Sequence, residues 1–215
     1  MDWKVVVASF PLLLKGLASS LQLTAIAIAF SFPLGGLIAV GRVSRRRWLS
    51  LACAAFVNIL RSNPLILILF WFYFLIPLLT GKNVNDLTSI VSAFIIFFSA
   101  YFAEIIRAGI QSVGYRQIQA GLSTGLSYTQ TMRFIIMPQA VRAMLPALVT
   151  QCIVVFQGTT VVYVIGYSDL LHTASQIAER TVRPVELYVT VAVIYFVVCY
   201  AGSLLAQQFE GRAAR

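Results

Sequence analysis

Residues 121–125, Gly-Leu-Ser-Thr-Gly, have the G-x-S-x-G spacing of a hydrolase nucleophile elbow, which would make Ser123 a nucleophile. That chemistry needs a strand before the turn, a helix after it and a histidine base, and the single histidine, His172, lies in a different connection, expected on the opposite side of a membrane. Residues 36–41 have the glycine spacing of a phosphate-binding loop, but Arg42 and Val43 stand where a lysine and a hydroxyl residue would hold phosphate and magnesium. Cys53, Cys152 and Cys199 fall within apolar runs at no paired spacing, which argues against a disulfide framework or a metal site. Covalent catalysis, nucleotide hydrolysis and metal chemistry are therefore not expected of this chain.

What remains is charge and polarity in apolar surroundings. Arg61 stands 13 residues into an apolar run, and a straight helix would carry it about 20 Å along its axis, near mid-depth of a bilayer. An ionised group there costs about 2.5–3.5 kcal/mol on insertion scales, so Arg61 must face a partner, the bundle interior or a watery path. Two roles fit: satisfying carbonyls freed by Pro64, or contacting an anionic substrate. Glu104 and Arg107 stand three apart on one helix face and are expected to pair. Gln157, Thr159 and Thr160 gather polar groups around Gly158 at membrane depth, where they either line a pathway or bridge helices by hydrogen bonds.

The elements that must position these residues follow from composition. Of 215 residues, 60% are hydrophobic and 11% charged, with mean hydropathy +0.87, so lipid rather than water has to cover most of the surface. A crossing needs about 20 apolar residues. Residues 17–40, 143–168 and 187–209 satisfy this without an ionisable side chain, 49–79 is interrupted by Arg61 alone, and 87–103 extends past Glu104 towards Gly109. Continuous apolar runs suit helices, which satisfy their own backbone in lipid, better than barrel strands. The expectation is an all-α integral membrane bundle of about five transmembrane helices, forming one domain over residues 1–215.

The net charge of +9 does not point to nucleic acid, because the basic residues are spread between spans. Arg42, Arg45, Arg46, Arg47, Arg107, Arg116, Arg133, Arg142, Arg212 and Arg215 make ten on one set of alternate segments, against five (Lys4, Lys15, Lys82, Arg180 and Arg183) on the other. The positive-inside rule then places the N-terminus outside and the C-terminus in the cytoplasm. The long connections, 109–137 inside and 169–186 outside, are where function is expected. In the first, glycines and Pro138 suggest short helices separated by turns, with Pro138 suited to start the next span.

Gln119, Ala120, Gly121, Gly125, Ile135, Met137 and Pro138 fall on the E-A-A-x3-G-x9-I-x-L-P pattern, and this segment resembles the coupling signature of bacterial ATP-binding-cassette (ABC) importer permeases. Residues 61–65, Arg-Ser-Asn-Pro-Leu, resemble the F-R-G-T-P-L segment of the polar amino acid family. Residues 103–113 resemble its A-E-I-x-R-x-G-I-Q-S-V segment, and 137–140 its L-P-Q-A. Residues 156–163, Phe-Gln-Gly-Thr-Thr-Val-Val-Tyr, are similar to the F-Q-D-T-S-L-V-Y stretch of glutamate/aspartate permease subunits, with Gly158 in place of the acid.

This resemblance implies a type I ABC importer permease in the bacterial inner membrane, importing polar amino acids and most similar to those carrying glutamate or aspartate. It implies a second permease chain, ABC ATPase subunits that bind ATP and magnesium, and an external amino-acid-binding protein. This chain would bind no cofactor itself. Its cytoplasmic segment, residues 113–137, would dock on the ATPase, and Arg61, Gln157, Gly158, Thr159 and Thr160 are candidates for the substrate path. An ion-coupled secondary transporter of small polar solutes is the alternative, and it should show mid-depth carboxylates and a repeated set of broken helices.

Overall fold

The computed structural model describes residues 3–44, 46–81 and 85–213, with side chains through 207. Arg45, Lys82 and Arg215 from the charge asymmetry lie outside the described residues, as does the side chain of Arg212. The first helix, α1 (Lys4–Arg42), begins 13 residues before the apolar run at 17–40, since 17 − 4 = 13. Lys15, the charge that bounded that run, is exposed, and its long stem is tolerated on a helix surface.

The expected single span at 49–79 is instead a broken pair. Helix α2 (Arg47–Arg61) and the run formed by α3 (Leu65–Phe70), a π-helical turn (Trp71–Leu75) and α4 (Ile76–Thr80) meet at 103°. Pro64 is the cause: it lacks an N–H, takes an extended backbone (φ −65°, ψ 143°), and excludes the preceding residue from helix. Asn63 Nδ2 closes the broken end of α2 by donating to Ile59 O at 2.7 Å.

Helix α5 (Asp86–Ser112) carries the third crossing through Glu104 and past Gly109, as expected. The following connection holds α6 (Tyr115–Ser123) and a turn to Ser127, whose capping box with Gln130 opens α7 (Tyr128–Thr131). Here a second expectation is corrected. Pro138 does not start a span. From Tyr128 the helix runs through a π-helical turn (Met132–Ile136) into α8 (Met137–Gly158) and a 3-10 segment (Thr159–Ile165). The wider π turn relieves the hydrogen bond that Pro138 cannot make, so the helix continues where the proline suggested a break. Gly166, at φ +78°, ends it. Amphipathic α9 (Leu170–Thr181) and α10 (Pro184–Ala213) complete the chain.

Among the described residues, four helices are long and apolar enough to cross a membrane, and the bent pair makes a fifth if counted as one span. Helix α5 is central, packed by α1, α2, α3 and α8, with Phe94, Phe98 and Phe102 fully buried. Helix α10 lies on α8 and α9. Along α1, the buried residues Gly16, Ser20, Thr24, Ala27, Ser31, Gly35 and Ala39 form a stripe of small side chains at helical spacing. Such a stripe lets backbones touch, which is how helices associate where lipid removes the hydrophobic drive between them. At Gly35 a Cβ would lie 2.8 Å from Ser99 O, so nothing larger than hydrogen fits against α5.

Candidate functional site

Glu104, eight residues before the end of α5 (112 − 104 = 8), gathers three guanidinium groups. Arg42, at the last turn of α1, and Arg107 are tightly bound to it, Arg107 through both carboxylate oxygens. Arg61, ending α2, sits 3.7 Å from Oε2. Arg107 also donates to Gln111. The Glu104–Arg107 pair was expected; Arg42 was not, because a partner 62 residues away leaves no local pattern. The straight span expected around Arg61 is corrected, because helix α2 ends at Arg61 and the chain turns by 103°. Packed on both α1 and α5 and turned at Pro64, α2 delivers Arg61 to the carboxylate that also holds Arg42. One anion among three cations leaves the cluster with an excess of two positive charges. Arg61 is its most accessible cation, 40% exposed against 13% for Arg42 and 24% for Arg107.

From this cluster an aromatic ladder on α5 leads to α8. The Arg61 guanidinium lies 5.5 Å from the Tyr101 ring centre, and Tyr101 and Phe98 rings are 6.3 Å apart. A Cβ on Gly158 would meet Phe98 Cζ at 3.0 Å and Leu65 Cδ2 at 3.2 Å. Arg61 and Gly158 therefore flank one face of α5, and the missing side chain at 158 is what lets α8 close on it. Of the other path candidates, Gln157 is exposed and turns to α10, its Nε2 lying 3.7 Å from Cys199 Sγ. Thr159 is buried and donates to Phe156 O at 2.7 Å, while half-buried Thr160 donates to Gln157 O at 2.8 Å. Both hydroxyls are satisfied within their own helix, at the point where α8 tightens to 3-10.

The coupling segment separates into a packed and an open half. Gly121 is buried, and a Cβ there would lie 2.6 Å from Thr131 Cγ2 and 3.0 Å from Ile135 Cδ1. Glycine at this position thus lets α6 pack closely on the start of the Tyr128–Ile165 helix; the alanine of the family pattern would require Thr131 to shift. Gly125 takes φ +85°, while Gly125 N and Leu126 N return to Leu122 O and Gly121 O at 3.1 and 3.3 Å. It closes α6 in the left-handed conformation that disfavours side chains, with nothing within 4 Å of a Cβ. Gln119 and Ala120 face outward, Gln119 bonding Tyr115 Oη; Ile135 is half-buried, and Met137 and Pro138 are exposed. A rigid helix pair thus presents an open polar and apolar surface at one end of a crossing.

A family model for the inner membrane component of binding-protein-dependent transport systems matches residues 31–215. The chain belongs to this family. The permease is 41% identical to the glutamate/aspartate import permease protein GltK of Escherichia coli O6:H1 over 99% of its own length and 98% of that chain. It is 36% identical to the probable glutamine ABC transporter permease protein GlnP of Bacillus subtilis, covering 92% and 91% of the two chains. Among solved structures, an amino acid ABC transporter with histidines superposes with a TM-score of 0.93 at 37% identity, covering 99% of both chains. The fold is therefore that of ABC importer permeases, and the chain is a membrane component that transports, leaving ATP hydrolysis to a separate ATPase. A binding protein and an ATPase are its partners by class.

Proposed function

We propose that the permease imports glutamate and aspartate, driven by ATP and magnesium on partner ATPase subunits and supplied by an external binding protein that selects acidic amino acids. The observation that carries the substrate is the full-length similarity to GltK, a glutamate/aspartate import permease. The cluster of Arg42, Arg61 and Arg107 around Glu104 supports it physically. An anion entering a low-dielectric interior needs compensating charge, and the half-exposed Arg61 offers it beside the Tyr101–Phe98–Gly158 face. Ion-coupled secondary transport is not favoured by the family match.

In this reading a second permease chain, identical or homologous, completes the path with Gln157, Gly158, Thr159 and Thr160. The ATPase docks on residues 113–137, and α6 hands its motion through Gly121, Thr131 and Ile135 to the long helix behind it. The N-terminus lies outside and the C-terminus in the cytoplasm.

Reconstitution into liposomes with the ATPase and binding protein tests the whole. Radiolabelled glutamate or aspartate should accumulate only with ATP, and preferential uptake of arginine or lysine would refute the acidic cargo while leaving the permease class intact. In a cysteine-free background, Ser168→Cys should react with an impermeant maleimide from outside intact cells, and Ser123→Cys only after permeabilisation; the reverse pattern would invert the orientation. Gly125→Asp should leave the protein inserted but stop ATP-driven uptake, since the carboxylate is forced into a left-handed turn on the docking face.

A further inference from the structure

Between the second half of α1, the end of α5 and the start of the Tyr128–Ile165 helix lies an apolar groove of about 810 Å³, walled by Phe32, Val40, Ile106, Met137, Val141 and Met144. It adjoins a second chamber of about 430 Å³, to which Arg42, Gln111 and Tyr115 contribute, and the two share Val43, Ser44, Ile110, Tyr128 and Met132. The result is one groove with a hydrocarbon-like body and a polar mouth.

The mouth is electropositive. Arg42 stands in it, and its counter-ion Glu104 is shared with Arg107 and Arg61, so among the described residues two positive charges go uncompensated. From residue 3 to residue 168 the chain holds only two acids, Asp86 and Glu104, and Asp86 is at the far end of α5, 18 residues away (104 − 86 = 18). Arg46, Arg47, Arg116, Arg133 and Arg142, all exposed, lie on the loop after α1 and along the same stretch of helices from α6 to α8. A zwitterionic amino acid does not match an apolar body of this size, and a soluble anion would leave it unfilled. An amphiphile with one negative head and long hydrocarbon tails matches both parts.

We propose that this groove binds an anionic phospholipid, with its acyl chains along Phe32, Val40 and Met144 and its phosphate at the mouth beside Arg42. The hydroxyl-bearing rings of Tyr115 and Tyr128 lie where the tails give way to the headgroup, the usual depth for such amphipathic side chains. The lipid would rest against α1, α5 and the π-helical turn that leads from the coupling segment, and so would report the composition of the leaflet to the moving part of the permease.

The purified complex in detergent, examined by native mass spectrometry with added phosphatidylglycerol or phosphatidylethanolamine of the same tails, tests this whichever way the chain is oriented. Wild type should retain phosphatidylglycerol at least tenfold better. Gly36 lines the groove, and a Cβ there meets nothing closer than Ile106 Cδ1 at 4.0 Å, so Gly36→Leu fills the body without disturbing a helix contact. It should lower retention of phosphatidylglycerol tenfold or more. Ser44→Glu, in the loop at the mouth, should abolish the preference for phosphatidylglycerol while sparing phosphatidylethanolamine. Equal retention of both lipids by wild type overturns the proposal, as does undiminished phosphatidylglycerol in both variants. Competition by free glycerol phosphate as effective as by the lipid would make the ligand a soluble anion. Separation of the permease pair by Gly36→Leu, with lipid retention unchanged, would make the groove a protein interface.

Discussion

Towards the N-terminal end of α1, Gly16 and Ser20 meet the beginning of α9 through its backbone. A Cβ on Gly16 would lie 2.9 Å from Asp169 O and 3.0 Å from Leu170 Cα, and Leu170 N donates to Ser20 Oγ at 3.2 Å. At the other end of the same helix, Arg42 reaches across to Glu104, beside Arg107 and Arg61. The first joint is steric contact, whose energy rises steeply within tenths of an ångström. The second is Coulombic; it falls off only as the inverse of distance, and its partners can exchange. A helix clamped at one end and tethered by exchangeable charges at the other yields more readily at the tethered end than at the clamp.

The largest effect should come from breaking the clamp. Gly16→Leu forces a side chain into backbone and should destabilise the protein by about 3 kcal/mol, the upper part of the range for overpacking. Thermal unfolding in detergent measures it against Lys15→Leu, an exposed neighbour expected to change little. Tolerance of leucine at Gly16 would mean the steric joint is as yielding as the charged one.

Glu104→Gln tests the tether. Removing the carboxylate leaves three guanidinium groups unopposed, and the cost should be about 2 kcal/mol, less than the ~3–5 of a fully buried pair because Glu104 is 21% exposed. Adding Arg42→Gln should restore part of the loss, and a double-mutant cycle reads the coupling. If the losses simply add, Arg42 and Glu104 are not an energetic unit.

A smaller stability effect with a larger functional one is expected of Arg61→Gln. Its pair is long and its side chain 40% exposed, so the variant should lose no more than ~1 kcal/mol. Glutamate uptake should nevertheless fall more than uptake of glutamine, where the binding protein delivers both. Equal losses would make Arg61 part of the tether alone.

The smallest effect concerns pH at the clamp. Burial pushes the Asp169 carboxyl above its ordinary value of 3.8, against the opposing pull of the His172 and Leu171 N–H groups and the His172 ring. The folded state then keeps this proton to higher pH than the unfolded state. The resulting stability is full below about pH 4 and is lost as pH rises through the elevated value. Wild type should therefore lose stability as pH rises above 4 relative to Asp169→Asn, which keeps the oxygen that accepts from His172 N at 2.8 Å. Parallel pH profiles for the two proteins would remove Asp169 as the cause.

The apolar run at 87–103, extended past Glu104 towards Gly109, and the run at 187–209 anticipated α5 and α10 closely, because a span is set by local composition and length. The stripe from Gly16 to Ala39 was equally visible in principle; its four-residue spacing marks the face on which α1 packs. The 103° break at Pro64 and the helix that continues through Pro138 were not legible as a contrasting pair. A proline removes one hydrogen bond in either place, and whether the chain turns or adopts a π-helical turn depends on what it packs against.

Hydropathy, charge bias and ordered motifs by themselves pointed to an all-α membrane permease. They also paired Glu104 with Arg107, since three residues on a helix is a local distance. Only the tertiary structure brought Arg42 and Arg61 to that same carboxylate and set Gly158 against Phe98. It alone showed the close packing of Gly121 against Thr131. These relations join residues distant in sequence through the crossing of helices, and a linear pattern carries the period of each helix but not the angle and register at which two of them meet.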